Sequence, residues 1–200
     1  MTPKVVFFDL DGTLYDSKGL KKRVALAALP SVKRLRLLIA ERKSRKALSR
    51  LDTGTLDYED LFTEMCSMSG FPISYVRDWY NGWYMDTIAG VLRRCCHPRE
   101  GIVSRIESLR KEGVKVAVLS DYGNIENKLK ALGIDPGLFD ALFDAPSLGG
   151  FKPASCVFRT ACQLLGCLPE EALMVGDRED TDGGCVKVGM NFADIHTYLL

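Results

Sequence analysis

The segment Lys4-Val5-Val6-Phe7-Phe8-Asp9-Leu10-Asp11-Gly12-Thr13-Leu14 sets four apolar side chains in a row directly before two carboxylates, a glycine and a hydroxyl. A run that is apolar at every position and rich in β-branched and aromatic residues reads as a strand buried on both faces, here over residues 4–9. Central strands of parallel sheets have this pattern. Gly12 permits a sharp turn that a Cβ would obstruct. Asp9 and Asp11 leave the strand end toward one side. Unpaired, they would repel each other and one pKa would rise. A divalent cation relieves this for one of them, and the other can stay partly protonated and serve as an acid. Thr13 adds a hydroxyl and a backbone N–H for an anion.

Residues 114–119 and 172–175 repeat the buried-strand pattern, and 141–143 and 190–193 repeat it more weakly. Helices are predicted between them. One covers 100–112, with Ile102, Val103, Ile106 and Leu109 as its apolar stripe and Gly113 as its stop. A second covers 124–132 with Asn124 as N-cap, and a third covers 153–166 with Pro153 in its first turn. Strand and helix alternate from residue 100 onward, so the fold class is α/β, a parallel sheet core flanked by helices. Between about 16 and 98 no convincing strand occurs. Val32, Leu35, Leu38, Ile39, Leu48 and Leu51 predict one long amphipathic helix after Pro30, and further helices are predicted over 57–69 and 74–92. Gly54, Gly70, Pro72 and Gly82 punctuate them. This organisation predicts a discontinuous core, 1–15 and 98–200, interrupted by an α-helical cap domain, 16–97.

Three more polar clusters follow the other strands, or are linked to them by short helices. Ligand sites of open parallel sheets lie outside the carboxyl ends of the strands, so clusters placed there converge although distant in sequence. Ser120-Asp121-Tyr122-Gly123 offers a hydroxyl and free N–H groups ahead of a helix, a cradle for phosphate. Gly149-Gly150-Phe151-Lys152-Pro153 bends the backbone and presents Lys152 to a phosphoryl charge. Gly176-Asp177-Arg178-Glu179-Asp180-Thr181-Asp182 is dense in acids, which suits Mg²⁺, a hard cation preferring oxygen ligands. Asp177 lies nearest the strand end and should reach the metal. Asp182 is better placed behind it, orienting Lys152 or a bound water.

In this order, the four clusters resemble the haloacid dehalogenase-like superfamily. Asp9 to Leu14 match its D-x-D-G-T-L signature, Ser120 its strand-end hydroxyl, Lys152 its G-x-K-P lysine, and Gly176 to Asp182 its G-D-x-x-x-x-D motif. The helical block resembles the cap inserted after the first motif in phosphoglycolate phosphatase-like members. The resemblance implies a Rossmann-like core. It implies that Asp9 forms an aspartyl-phosphate and that Asp11 protonates the leaving oxygen and then activates water. Asp9, the backbone carbonyl of Asp11, and Asp177 would hold Mg²⁺. Ser120 and Lys152 would bind the phosphoryl oxygens with backbone N–H groups around Thr13 and Asp121. Asp121 departs from the pattern by standing where Asn is common, which places an extra negative charge near the phosphate. The chain also ends soon after the fourth motif, where further sheet elements are usual.

The composition of the 200 residues is that of a soluble globular protein, 46% hydrophobic and 26% charged, with formal net charge +1. That balance gives no argument for a polyanionic partner, although residues 18–50 carry twelve Lys or Arg against Glu41 alone. Such a stretch reads first as a solvated helix face. Seven cysteines without a C-x-x-C pair, and two histidines outside zinc spacing, predict reduced thiols. With no signal peptide and no apolar run long enough to span a bilayer, a cytoplasmic protein is expected. The expected partner is a small phosphorylated metabolite, with neither nucleic acid nor membrane, and the chain is expected to be a monomer or homodimer. Tyr80, Trp83 and Tyr84 could line the closing face of the cap, but aromatics at helical spacing more often pack its interior. The leading expectation is a phosphatase. A sugar-phosphate phosphomutase would use the same core, and a non-enzymatic binding protein using the basic cap helix is a third reading.

Overall fold

The computed structural model describes residues 2–199. Five parallel strands form the sheet: β1 Val5–Phe8, β2 Lys115–Ser120, β3 Ala141–Asp144, β4 Ala172–Gly176 and β5 Asn191–Asp194, in the order β3-β2-β1-β4-β5. The strand that opens the chain is therefore the middle one. Every residue of β1 is buried, and β2 and β4 flank it in register, with Phe8 level with Val118 and Val175. The continuous apolar run at 5–8 is the consequence of that position, because both faces of a central parallel strand are covered.

Six α-helices intervene between β1 and β2, and the first five are α1 Leu20–Ala28, α2 Val32–Leu48, α3 Tyr58–Ser69, α4 Ile73–Trp79 and α5 Met85–Cys95. Ser31 caps α2 by accepting from the Arg34 N–H at 3.4 Å. Asp57 and Asp60 form a reciprocal capping box at the start of α3, and Gly70, in the left-handed region, ends it. The sixth, α6 Ile102–Lys111, leads directly into β2, while α7 Ile125–Leu132, α8 Ser155–Leu165 and the single turn α9 Ile195–Tyr198 follow it. No helix of the described residues is long and apolar enough to cross a membrane.

Several local expectations need correction. The apolar stripe expected on α2 is out of phase. Its buried face is Leu37, Ala40, Glu41, Ser44, Arg45 and Leu48, whereas Val32 and Ile39 are exposed and Leu51 lies beyond the helix. A buried ion pair, Arg45 to Glu41 at 2.8 Å, replaces apolar residues on that face. α1 was not anticipated at all, because its sequence shows no strong stripe. Gly82 does not break the 74–92 helix but sits in a π-helical stretch, Tyr80–Tyr84, joining α4 to α5. Pro153 precedes α8 rather than starting it, and the free N–H groups of Ser155 and Cys156 are capped by Asp52 from the α2–α3 loop at 2.8 and 3.1 Å. Asn124 holds the N-cap position of α7 with φ 58°, yet its side chain makes no cap and instead accepts from Asn127.

Candidate active site

Asp9 is the first residue past β1, and its N–H still donates to Val175 O of β4 at 2.9 Å. That bond carries the sheet one residue further and delivers the carboxylate to the carboxyl edge, where parallel sheets bind ligands. Ser120 ends β2 on one side, and Asp177 follows β4 on the other. The chain then turns sharply. Gly12 adopts φ 116°, and a Cβ there would collide with the Asp177 carboxylate, so both its conformation and its lack of a side chain are required. Arg99 braces the turn from outside, donating to Gly12 O at 2.6 Å and Thr13 O at 3.0 Å.

Lys152 is the charge at the centre. Fully buried, it spends all three ammonium protons on Asp9 Oδ1 at 2.7 Å, Asp182 Oδ1 at 2.6 Å and Leu119 O at 3.1 Å. Burial would lower its pKa, but Asp182 and Asp9 outweigh that and hold it above its ordinary value. Asp121 accepts the Lys152 backbone N–H at 2.9 Å, so its carboxylate steadies the lysine loop instead of facing phosphate space. Thr13 is buried, with its hydroxyl 3.4 Å from Asp9 Oδ2. Burial, only partly offset by Lys152 and reinforced by Asp182 and Asp11, pushes Asp9 up to about 6.

Asp11 departs from the sequence expectation. A partly protonated acid was expected there. Burial alone would favour that, but the Lys128 ammonium at 2.8 Å and the Tyr15 hydroxyl at 2.6 Å both bond its carboxylate and carry its pKa below the usual value. Ser120 Oγ stands 3.5 Å from the same carboxylate. Neither Lys128 nor Tyr15 was singled out from sequence, nor was Arg45. That guanidinium donates from α2 to the Asp121 carbonyl at 2.6 Å and to the Tyr80 hydroxyl at 3.0 Å, and lies 4.1 Å from the Tyr122 ring centroid. Tyr80 and Tyr84 are buried as interior packing, and Trp83 is half-buried.

The site fits a hard divalent cation. Carboxylate oxygens of Asp9, Asp177 and Asp182 come within 4.8 Å of one another, and buried Asp177 Oδ1 has no hydrogen-bond partner. A buried oxygen left so is costly unless a ligand satisfies it. Asp182 is engaged already, by Lys152 through Oδ1 and by the Arg178 N–H through Oδ2 at 3.3 Å. Burial and the charge of Asp9 raise the pKa of Asp177, a strain that a cation would relieve.

A family model described as haloacid dehalogenase-like hydrolase matches residues 3–184. The chain belongs to this family of hydrolases. Among curated relatives, this hydrolase is 28% identical over 191 residues to a glyceraldehyde 3-phosphate phosphatase of Methanothermobacter thermautotrophicus, spanning 94% of this chain and 83% of the relative. Its fold is similar to CbbY from Rhodobacter sphaeroides, solved in complex with phosphate, with TM-score 0.67 and 20% identity over 96% of this chain and 86% of that one. It is also similar to L-2-haloacid dehalogenase from Xanthobacter autotrophicus, with TM-score 0.64 and 20% identity over 97% and 77% of the two chains. Likeness at that identity speaks for the fold of this hydrolase and leaves its chemistry to the site.

Proposed function

We propose that this hydrolase is a Mg²⁺-dependent phosphatase that releases phosphate from a small phosphomonoester through an aspartyl-phosphate at Asp9. The observation that carries the reading is the second carboxylate, Asp11, lodged two residues beyond Asp9 and 3.5 Å from the Ser120 hydroxyl. Displacement at carbon needs no such proton carrier, whereas an alkoxide leaving from phosphorus does. The phosphatase relative supports the same reading.

In the first half-reaction an Asp9 oxygen bonds to phosphorus and the bond to the leaving oxygen breaks, with Asp11 giving that oxygen a proton. In the second, Asp11 takes a proton from water as it attacks phosphorus, the Asp9–phosphorus bond breaks, and phosphate leaves. The pairing with Lys128 keeps Asp11 ionised at rest, which suits the second half. For the first half, the proton can arrive on the substrate, because phosphomonoesters have a second pKa of about 6. Lys152 and Ser120 steady the phosphoryl oxygens, where positioning and electrostatics provide most of the catalysis. Mg²⁺ on Asp9, Asp177 and the Asp11 carbonyl would neutralise charge on the transferring group. Residues 16–97 act as a cap over a core of 1–15 and 98–200 and exclude water from this chemistry.

With p-nitrophenyl phosphate and Mg²⁺, Asp9→Asn should abolish turnover and Asp11→Asn should come close to doing so. Turnover like that of the wild type in either variant, or activity indifferent to chelator, would remove the proposal.

A further inference from the structure

Lys128 has only a passive part in the reaction as drawn, yet its placement is unusual. It lies on the face of α7 that also buries Ile125, Leu129 and Leu132, and is 1% exposed. Its ammonium donates to Asp11 Oδ2 and sits 5.0 Å from the Tyr122 ring centroid. The opposite oxygen, Oδ1, accepts from the buried Tyr15 hydroxyl. A strong donor on each oxygen fixes both the position and the plane of a carboxylate. Tyr15 comes from the same turn as Asp11, but Lys128 reaches it from a helix beyond β2.

Packing gives no reason for an ammonium here. A leucine or methionine would complete the apolar face of α7. Replacing a buried ion pair by well-packed apolar side chains is often neutral or stabilising. What the ammonium gains is contact with the one side chain that must handle protons twice per turnover.

We propose that Lys128 is a positioning residue: opposed by the Tyr15 hydroxyl, its ammonium keeps the Asp11 carboxylate aimed at the leaving-group oxygen. This rests on the phosphatase reading above. A carboxylate freed on one side retains its chemistry but loses its orientation, and misplacement by about 1 Å can cost on the order of a hundredfold in rate.

The test compares wild type, Lys128→Met and Lys128→Arg on phenyl phosphate and p-nitrophenyl phosphate, together with thermal midpoints and a crystal structure of Lys128→Met. Lys128→Met is expected to lower kcat on phenyl phosphate roughly ten- to a hundredfold with KM unchanged, and to lower the midpoint because Asp11 loses its cation, while the protein stays folded at the assay temperature. The loss should be smaller on p-nitrophenyl phosphate, whose leaving group needs less protonation, and Lys128→Arg should recover part of it. In the crystal, Asp11 should turn away, keeping only Tyr15. Unchanged kcat, equal losses on both esters, or a raised KM at constant kcat would each overturn the proposal; the last would mark Lys128 as a substrate contact. If wild type cleaves neither ester, the phosphatase reading fails by itself. The Asp11 orientation in the Lys128→Met crystal then still decides whether Lys128 sets it, and an unmoved carboxylate refutes the idea.

Discussion

Asp9 carries its negative charge with help from one ammonium, which it shares with Asp182, while burial and two neighbouring acids oppose it. Its pKa of about 6 in the fold stands above the ordinary 3.8. A raised carboxylate pKa contributes stability that is present below about 3.8 and lost as pH climbs through about 6. Without a cation, ionised Asp9 therefore burdens the fold at neutral pH. Mg²⁺, which binds the ionised form, should raise the thermal midpoint by a few degrees at pH 7.5 and by clearly less at pH 5. Asp9→Asn should stabilise the cation-free protein at pH 7.5 and shrink the response. Equal midpoint gains at both pH values in a fluorimetric melt would show that Asp9 is not where the cation acts. The residues at strand ends were legible in sequence because buried runs point straight at them. Lys128 was hidden because its partner lies 117 positions away. A clue existed, since it interrupts the face shared by Ile125, Leu129 and Leu132, and a lysine at such a place needs a buried anion.

Helix α2 shows what periodicity cannot tell. Its apolar residues suggested one face, and the fold buries another that contains Glu41 and Arg45. The sheet-side partners of Arg45, the Asp121 carbonyl and the Tyr122 ring, lie far along the chain, so no local pattern announced them. Strands were easier to read because burial on both faces leaves a signature independent of neighbours. The α2 pair yields a quantitative expectation. Arg45→Met leaves Glu41 buried and uncompensated and should lower the unfolding free energy by about 3 kcal/mol in urea titrations, while adding Glu41→Leu should restore much of it. A single variant as stable as wild type would mean that Glu41 reaches water.

Across the whole molecule, the helices between β1 and β2 share an apolar interior with one face of the sheet. Leu37, Leu61, Val76 and Trp79 belong to the same buried cluster as Val6, Phe8 and Val116. Asp52, bonded to the start of α8, and Arg45, bonded to the loop after β2, add polar ties between the helical insert and the rest of the fold. An insert so joined should unfold with the core in one step. Both tryptophans, Trp79 and Trp83, lie in the insert, so their fluorescence follows that part alone. Its midpoint in urea should coincide with that of far-ultraviolet circular dichroism. An earlier fluorescence transition would show the insert to be a separate folding unit. The α/β class and the helical insert followed from the alternation of patterns. The polar ties did not, because they depend on loops meeting in space.

Two glycines beside the site, Gly12 in the turn after β1 and Gly176 at the end of β4, have a further effect. A methyl at Gly12 would strike Asp177, and one at Gly176 would strike Asp182. Each glycine thus keeps an acid from elsewhere in its seat, and the positions cannot drift one at a time. Anyone retooling this scaffold for new chemistry inherits a floor that tolerates almost no redecoration, and must seek novelty in the roof above it.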